Sequence, residues 1–158
     1  TLQGSPQKVN YFFCYYNQLT TLEGSPQEVN DFNCSDNQLI TLQGSPQKVN
    51  DFDCSHNQLT TLQGSPQKVD DFDCSHNQLI TLKGSPQEVN YFNCHHNQLT
   101  TLQDCPQFNL IDYDNNPITD EINKLSGVKE YLENERRKYE QEFRRNNPLN
   151  KYRFIANN

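Results

Sequence analysis

Residues 24–43 read Gly24-Ser25-Pro26-Gln27-Glu28-Val29-Asn30-Asp31-Phe32-Asn33-Cys34-Ser35-Asp36-Asn37-Gln38-Leu39-Ile40-Thr41-Leu42-Gln43, and nearly the same string returns 20 residues later. Gly-Ser-Pro recurs at Gly4, Gly24, Gly44, Gly64 and Gly84, a strict period of 20, with Asp104-Cys105-Pro106 as a degenerate sixth copy. Between these turns lies one template, Val29-x-x-Phe32-x-Cys34-x-x-Asn37-x-Leu39-x-x-Leu42. The copies opening at Val9, Val49, Val69 and Val89 match it at every one of those positions. A final copy, Phe108-x-x-Ile111-x-Tyr113-x-x-Asn116-x-Ile118, is one residue shorter in its connection. A fixed period of this length marks a repeat architecture before any local propensity is considered.

Phe32 and Cys34 are two apart, so on a strand both point to one side. Val29, Leu39 and Leu42 complete the inward set, and Gly-Ser-Pro punctuates the return path. Twenty residues are too few for a full helix, a strand and their connections, so the return arc is expected to be extended or a single tight turn. One such unit cannot bury its apolar side alone, whereas stacked units share a continuous core. The expected fold is mainly β, a parallel one-dimensional solenoid over residues 1–118, with a different segment at 119–158.

The pattern V-x-x-F-x-C-x-x-N-x-L followed by L-x-G-x-P resembles the leucine-rich repeat, with Phe, Cys and Val at some leucine sites. Its 20-residue length is similar to the short bacterial class, which includes secreted effectors of enteric bacteria. The Gly-Ser-Pro, Cys-Ser and Asn-Gln-Leu words are similar to repeat proteins of phages and large DNA viruses. The resemblance implies a curved right-handed solenoid with a parallel sheet on its concave side, and protein recognition there. The effectors carry a large catalytic ligase domain after their repeats, which the 40 residues at 119–158 are too few to hold. No enzyme is expected: Gly-Ser-Pro is a turn, and the Asp/His pairs are copied repeats.

Composition narrows the classes further. The 158 residues are 32% apolar and 11% aromatic, with a mean hydropathy of -0.98 and a net charge of -7. A general nucleic-acid binder would want a basic face. The longest apolar run, Tyr11 to Tyr16, is far short of the roughly 18 residues that span a membrane, and no charged-then-apolar leader opens the sequence. Acidity is uneven: residues 1–118 hold 4 Lys and 13 acids, and residues 119–158 hold 9 basic and 7 acidic residues.

Two columns read as structural. Asn17, Asn37, Asn57, Asn77, Asn97 and Asn116 offer amides that can satisfy backbone groups at each bend. Cys14, Cys34, Cys54, Cys74 and Cys94 sit beside Phe at an inward position, where a thiol acts as a small apolar group. Parallel in-register cysteines do not readily supply the roughly 90° torsion of a disulfide, and their spacing is poor for zinc. Reduced thiols in a reducing, cytoplasmic compartment, or incorporation in a virus particle, are expected; Cys105 stands apart in a turn as a candidate exposed thiol.

The outward positions vary, and they carry the expected partner-binding surface: Tyr11, Phe13, Tyr15, Tyr16, Asp31, Asp36, Asp51, Asp53, His56, Asp71, Asp73, His76, Tyr91, His95 and His96. Ser35, Ser55 and Ser75 are read as outward too, and no lysine or arginine falls in the set. Stacked carboxylates repel, so the face either serves solubility or awaits a protein with a basic surface. The histidines titrate near neutrality, making binding pH-sensitive in that reading. A straight imidazole column does not converge on one point, so no metal or other cofactor is expected. The first repeat, aromatic on both faces and preceded by the tail of a unit, points to missing upstream residues or to an open edge that self-associates. The competing function is a structural component of a virus particle or other assembly, contacting neighbours through its ends and C-terminal helix.

From Thr119 the apolar spacing becomes helical: Ile118, Ile122, Leu125 and Leu132, continued by Tyr139 and Phe143. Thr119 is the expected cap, Asp120 and Glu121 favour the first turn, and Glu133–Arg137 and Glu140–Arg144 are i,i+4 pairs. Gly127 suggests two helices with a bend between them, and Asn146-Asn147-Pro148 a stop. The segment is read as a cap on the last repeat or a projecting arm, and Lys151 to Ile155 as a strand or extended arm.

Overall fold

The structure, a computed structural model, describes residues 2–124 and 127–146, without the side chains of residues 136, 139, 140 and 143–146. Six strands, β1 (Lys8–Phe13), β2 (Glu28–Asn33), β3 (Asp51–Asp53), β4 (Asp71–Asp73), β5 (Glu88–Asn93) and β6 (Gln107–Asp112), form one sheet in sequence order. All pairings are parallel, and equivalent letters meet: Phe12 with Phe32, Phe32 with Phe52, Phe52 with Phe72, Phe72 with Phe92. The register step is 20 until β6, where Val89 meets Phe108. The shorter last connection is therefore absorbed before the strand, and the columns stay aligned. The chain is mainly β, a parallel solenoid.

The repeat's apolar letters form the core. Phe32, Phe52, Phe72 and Phe92 are buried and stack with ring centroids 5.4–5.9 Å apart. Leu22, Leu39, Leu42, Leu59, Leu62, Leu79, Leu82 and Leu99 are fully enclosed behind them. Burial of such side chains is worth about 1.5–3 kcal/mol each, and each repeat supplies one side of the next one's pocket. At β1 the same letters, Val9, Phe12 and Leu19, are only half-buried, because no strand lies on their other side among the described residues.

Five of the returns are turns closed by a serine N–H, and the sixth is closed by the Cys105 N–H. Ser65 donates to the Leu62 carbonyl at 3.1 Å, with Gly64 at φ +93, the geometry of a type II turn that asks for glycine at its third position. A Cβ there would lie 2.6 Å from the Gln43 backbone nitrogen, so stacking as well as φ demands glycine.

The bend after each strand is held by the asparagine column. Asn77 spreads its amide N–H groups over the carbonyls of Cys54, Cys74 and Ser75, each at 3.1 Å, and its Oδ1 accepts the Leu59 N–H at 3.0 Å. Asn37, Asn57, Asn97 and Asn116 repeat the arrangement. One side chain thus serves its own bend and the preceding repeat.

The chain divides into two compact units between Thr119 and Asp120. In the second, α1 (Thr119–Asn123) and α2 (Val128–Asn146) are separated near Gly127, which has φ +129. Glu133 and Arg137 pair at 3.5 Å, one turn apart. The Thr119 hydroxyl differs from its expected capping role: it donates to the Tyr113 carbonyl and accepts the Asn116 N–H, so it ties the last bend rather than the helix start. Leu125, the side chains of Tyr139, Glu140, Phe143 and Arg144, and the stretch 151–155 lie outside the described residues. Among the described residues, no helix is long and apolar enough to cross a membrane.

Candidate functional site

Strand alternation sends Phe and Cys inward, so the residues between them face out, and parallel register turns them into columns. The first runs Tyr11, Asp31, Asp51, Asp71, Tyr91, Leu110; the second runs Phe13, Asn33, Asp53, Asp73, Asn93, Asp112. Both belong to one continuous surface. At its β1 end Tyr11, Phe13, Tyr15 and Tyr16 are exposed and touch in sequence, with centroids 5.7–6.2 Å apart.

The two acidic columns are chemically different. Asp31, Asp51 and Asp71 make no ion pair or side-chain hydrogen bond with any described residue. Partial burial and the neighbouring carboxylates of Asp71, Asp31 and Asp70 raise the Asp51 pKa. Asp53 and Asp73, by contrast, are bound into the frame. One oxygen of each accepts the N–H of Ser55 or Ser75 at 2.9 and 2.8 Å, and the other accepts the amide of Asn33 or Asn93 at 2.9 and 2.8 Å. Burial nonetheless raises Asp53, against its Ser55 bonds and with the Asp73 charge adding. Asn33 holds the Ser35 N–H in the same way, an Asx turn. The signal was the recurring Asn/Asp-x-Ser in the repeat, which the sequence reading assigned wholly to the outward face.

Ser35, Ser55 and Ser75 are corrected likewise. They are buried, at 7%, 7% and 3% exposure, because the chain turns inward immediately after each strand. The next residue in each repeat, Tyr16, Asp36, His56, His76, His96 or Asn115, has φ between 51 and 55. That left-handed conformation is easiest for Asn, Asp and His among residues other than glycine, and it supplies a structural reason for histidine in this column. Lys8, at the start of β1, and Lys48 flank Glu28 at 3.0 and 2.7 Å.

His56 stacks on His76 and His76 on His96, with centroids 4.2 and 4.3 Å apart. His95 departs from this column. It occupies the place of Ser35, Ser55 and Ser75, and its ring stands edge-on to both His76 and His96 at 4.9 Å. The expectation that the imidazoles do not converge is therefore wrong for one group: single nitrogens of His76, His95 and His96 all lie within 4.8 Å of one another.

All six cysteines are free thiols. Cys34, Cys54 and Cys74 donate to the carbonyls of Asp53, Asp73 and Asn93 at 3.4, 3.2 and 3.2 Å. Burial pushes each of these well above the usual thiol range, and Cys14 to about 11. Cys105, expected as an exposed thiol, is partly enclosed and raised to about 12 by burial. A thiol held protonated is a poor nucleophile.

No protein-family model matches this chain, and no match was found among curated proteins or among solved structures.

Proposed function

We propose that the chain is a non-enzymatic binding protein whose outward sheet face captures another protein through a basic patch. The observation that carries this reading is the aligned, unpaired column Asp31, Asp51 and Asp71, bounded by the exposed aromatics of β1 and by Tyr91 and Leu110. Adjacent carboxylates cost stability, and cationic side chains arriving from a partner would relieve that repulsion. Tyr and Phe beside them supply the rigid apolar contact area common in interfaces. The resemblance to leucine-rich repeats supports the same face, which in that family is concave and recognises proteins. The polar groups of the face recur from repeat to repeat, a pattern suited to an extended contact rather than to one reacting centre.

Asn substitution of Asp31, Asp51 and Asp71 together tests the reading, since none of the three holds the frame. Immobilised wild-type chain and the triple variant are exposed to an extract of the source cells, and retained proteins are identified by mass spectrometry across a salt series. Partners retained by the wild type, released by salt and lost from the variant are expected. An identical retained set rejects the acidic face. If the variant instead changes only the chain's assembly, the competing role, a structural component joined through its ends, gains the case.

A further inference from the structure

We propose that His76, His95 and His96 form a three-imidazole binding site for a divalent transition-metal ion of the zinc type, with a fourth position open to water or to a partner's side chain. The site arises from one departure in the repeat. His76 and His96 occupy equivalent left-handed positions and stack in register, which alone leaves their nitrogens on parallel planes. At position 95 the other complete repeats place serine or tyrosine, and the serines tuck inward. An imidazole is too large to follow them, so the His95 ring turns outward, its side chain 24% exposed, across the edge of the other two.

In tetrahedral zinc sites with Zn–N near 2.0–2.1 Å, ligand nitrogens stand about 3.3 Å apart. The three nitrogens lie within 4.8 Å of one another, and to reach that spacing around one ion the stacked His76 and His96 rings must splay apart. His96 is exposed and His76 and His95 half-buried, so the rings have room to turn. Partners for the remaining nitrogens are in place. Asp112 Oδ2 lies 3.3 Å from His95 Nδ1, the carboxylate–imidazole relation that orients a metal-binding histidine and leaves its Nε2 free. Asn115 lies 3.4 Å from His96 Nδ1, and its amide can present either oxygen or nitrogen there. Imidazole donors suit zinc, copper and nickel and are poor for calcium or magnesium.

The test uses the full chain without an affinity tag, stripped by chelator, and titrated with zinc chloride in a calorimeter at pH 7.5. Cobalt replaces zinc in a parallel absorption measurement. One zinc per chain and an intense visible cobalt band are expected. His95→Ser restores the residue of the neighbouring repeats and is expected to keep the β-sheet circular dichroism while weakening zinc by at least about tenfold. His56→Ala, which removes a stacked ring outside the trio, is expected to keep the affinity. No zinc binding by the wild type overturns the site, and so does binding that His95→Ser leaves unchanged, as thiols or carboxylates elsewhere would give. Because the readout needs no protein partner, its failure leaves the acidic-face proposal standing.

Discussion

Asn77 shows how much one conserved letter of the repeat carries at the residue scale: four backbone groups from two successive repeats depend on a single amide. Leaving a buried backbone group unpaired costs about 1–3 kcal/mol. Asn77→Ala is therefore expected to destabilise the protein by at least about 3 kcal/mol, measured by urea denaturation, while the exposed neighbour Gln78→Ala stays within about 0.5 kcal/mol. Equal effects would show that the ladder contributes nothing special. The structural nature of this column was legible from composition alone, since an amide repeated at a bend has donors and an acceptor to give. The division between Asp51 and Asp53 was not. Both are outward by alternation, and only the fold reveals that the second caps an N–H two residues on.

Among the elements, the Gly-Ser-Pro turns separate local from stacking demands. Gly4 and Gly64 share a positive φ, yet a Cβ on Gly4 meets nothing within 4 Å, whereas on Gly64 it strikes the Gln43 backbone at 2.6 Å. Gly4→Ala is expected to cost about 1 kcal/mol, from backbone conformation alone. Gly64→Ala is expected to cost at least about 3 kcal/mol, since the backbone of the preceding turn must also give way. Thermal melts of the two variants check this, and equal shifts would mean that the turns do not pack on one another as described. The sequence marked these residues as turns through their composition; their close approach depends on two turns 20 residues apart lying face to face.

For the whole molecule, the solenoid makes stability a sum of similar units and their neighbour contacts. Deleting residues 51–70 removes one full period and joins Asn50 to Asp71 in phase. The shortened chain is expected to fold cooperatively with a melting temperature roughly 5–10 °C lower. Deleting residues 51–60 is expected to abolish cooperative melting, because the inward letters of later repeats no longer meet those before them. Circular dichroism on heating distinguishes the two, and tolerance of the half-period deletion would contradict the aligned core.

Periodicity was enough to establish parallel strands, an inward Phe/Cys side and an aligned outward face, because a motif too short to bury itself has one economical way of stacking. Which outward groups remain free is a different kind of fact. The chain's inward turn after each strand takes the serines out of the face, and the left-handed bend sets the imidazoles in a stack. His95 stands where three other repeats place a buried serine, and its ring meets that stack edge-on. Such convergence depends on side-chain volume and bend geometry in neighbouring repeats, and these exist only once the units have been packed against each other.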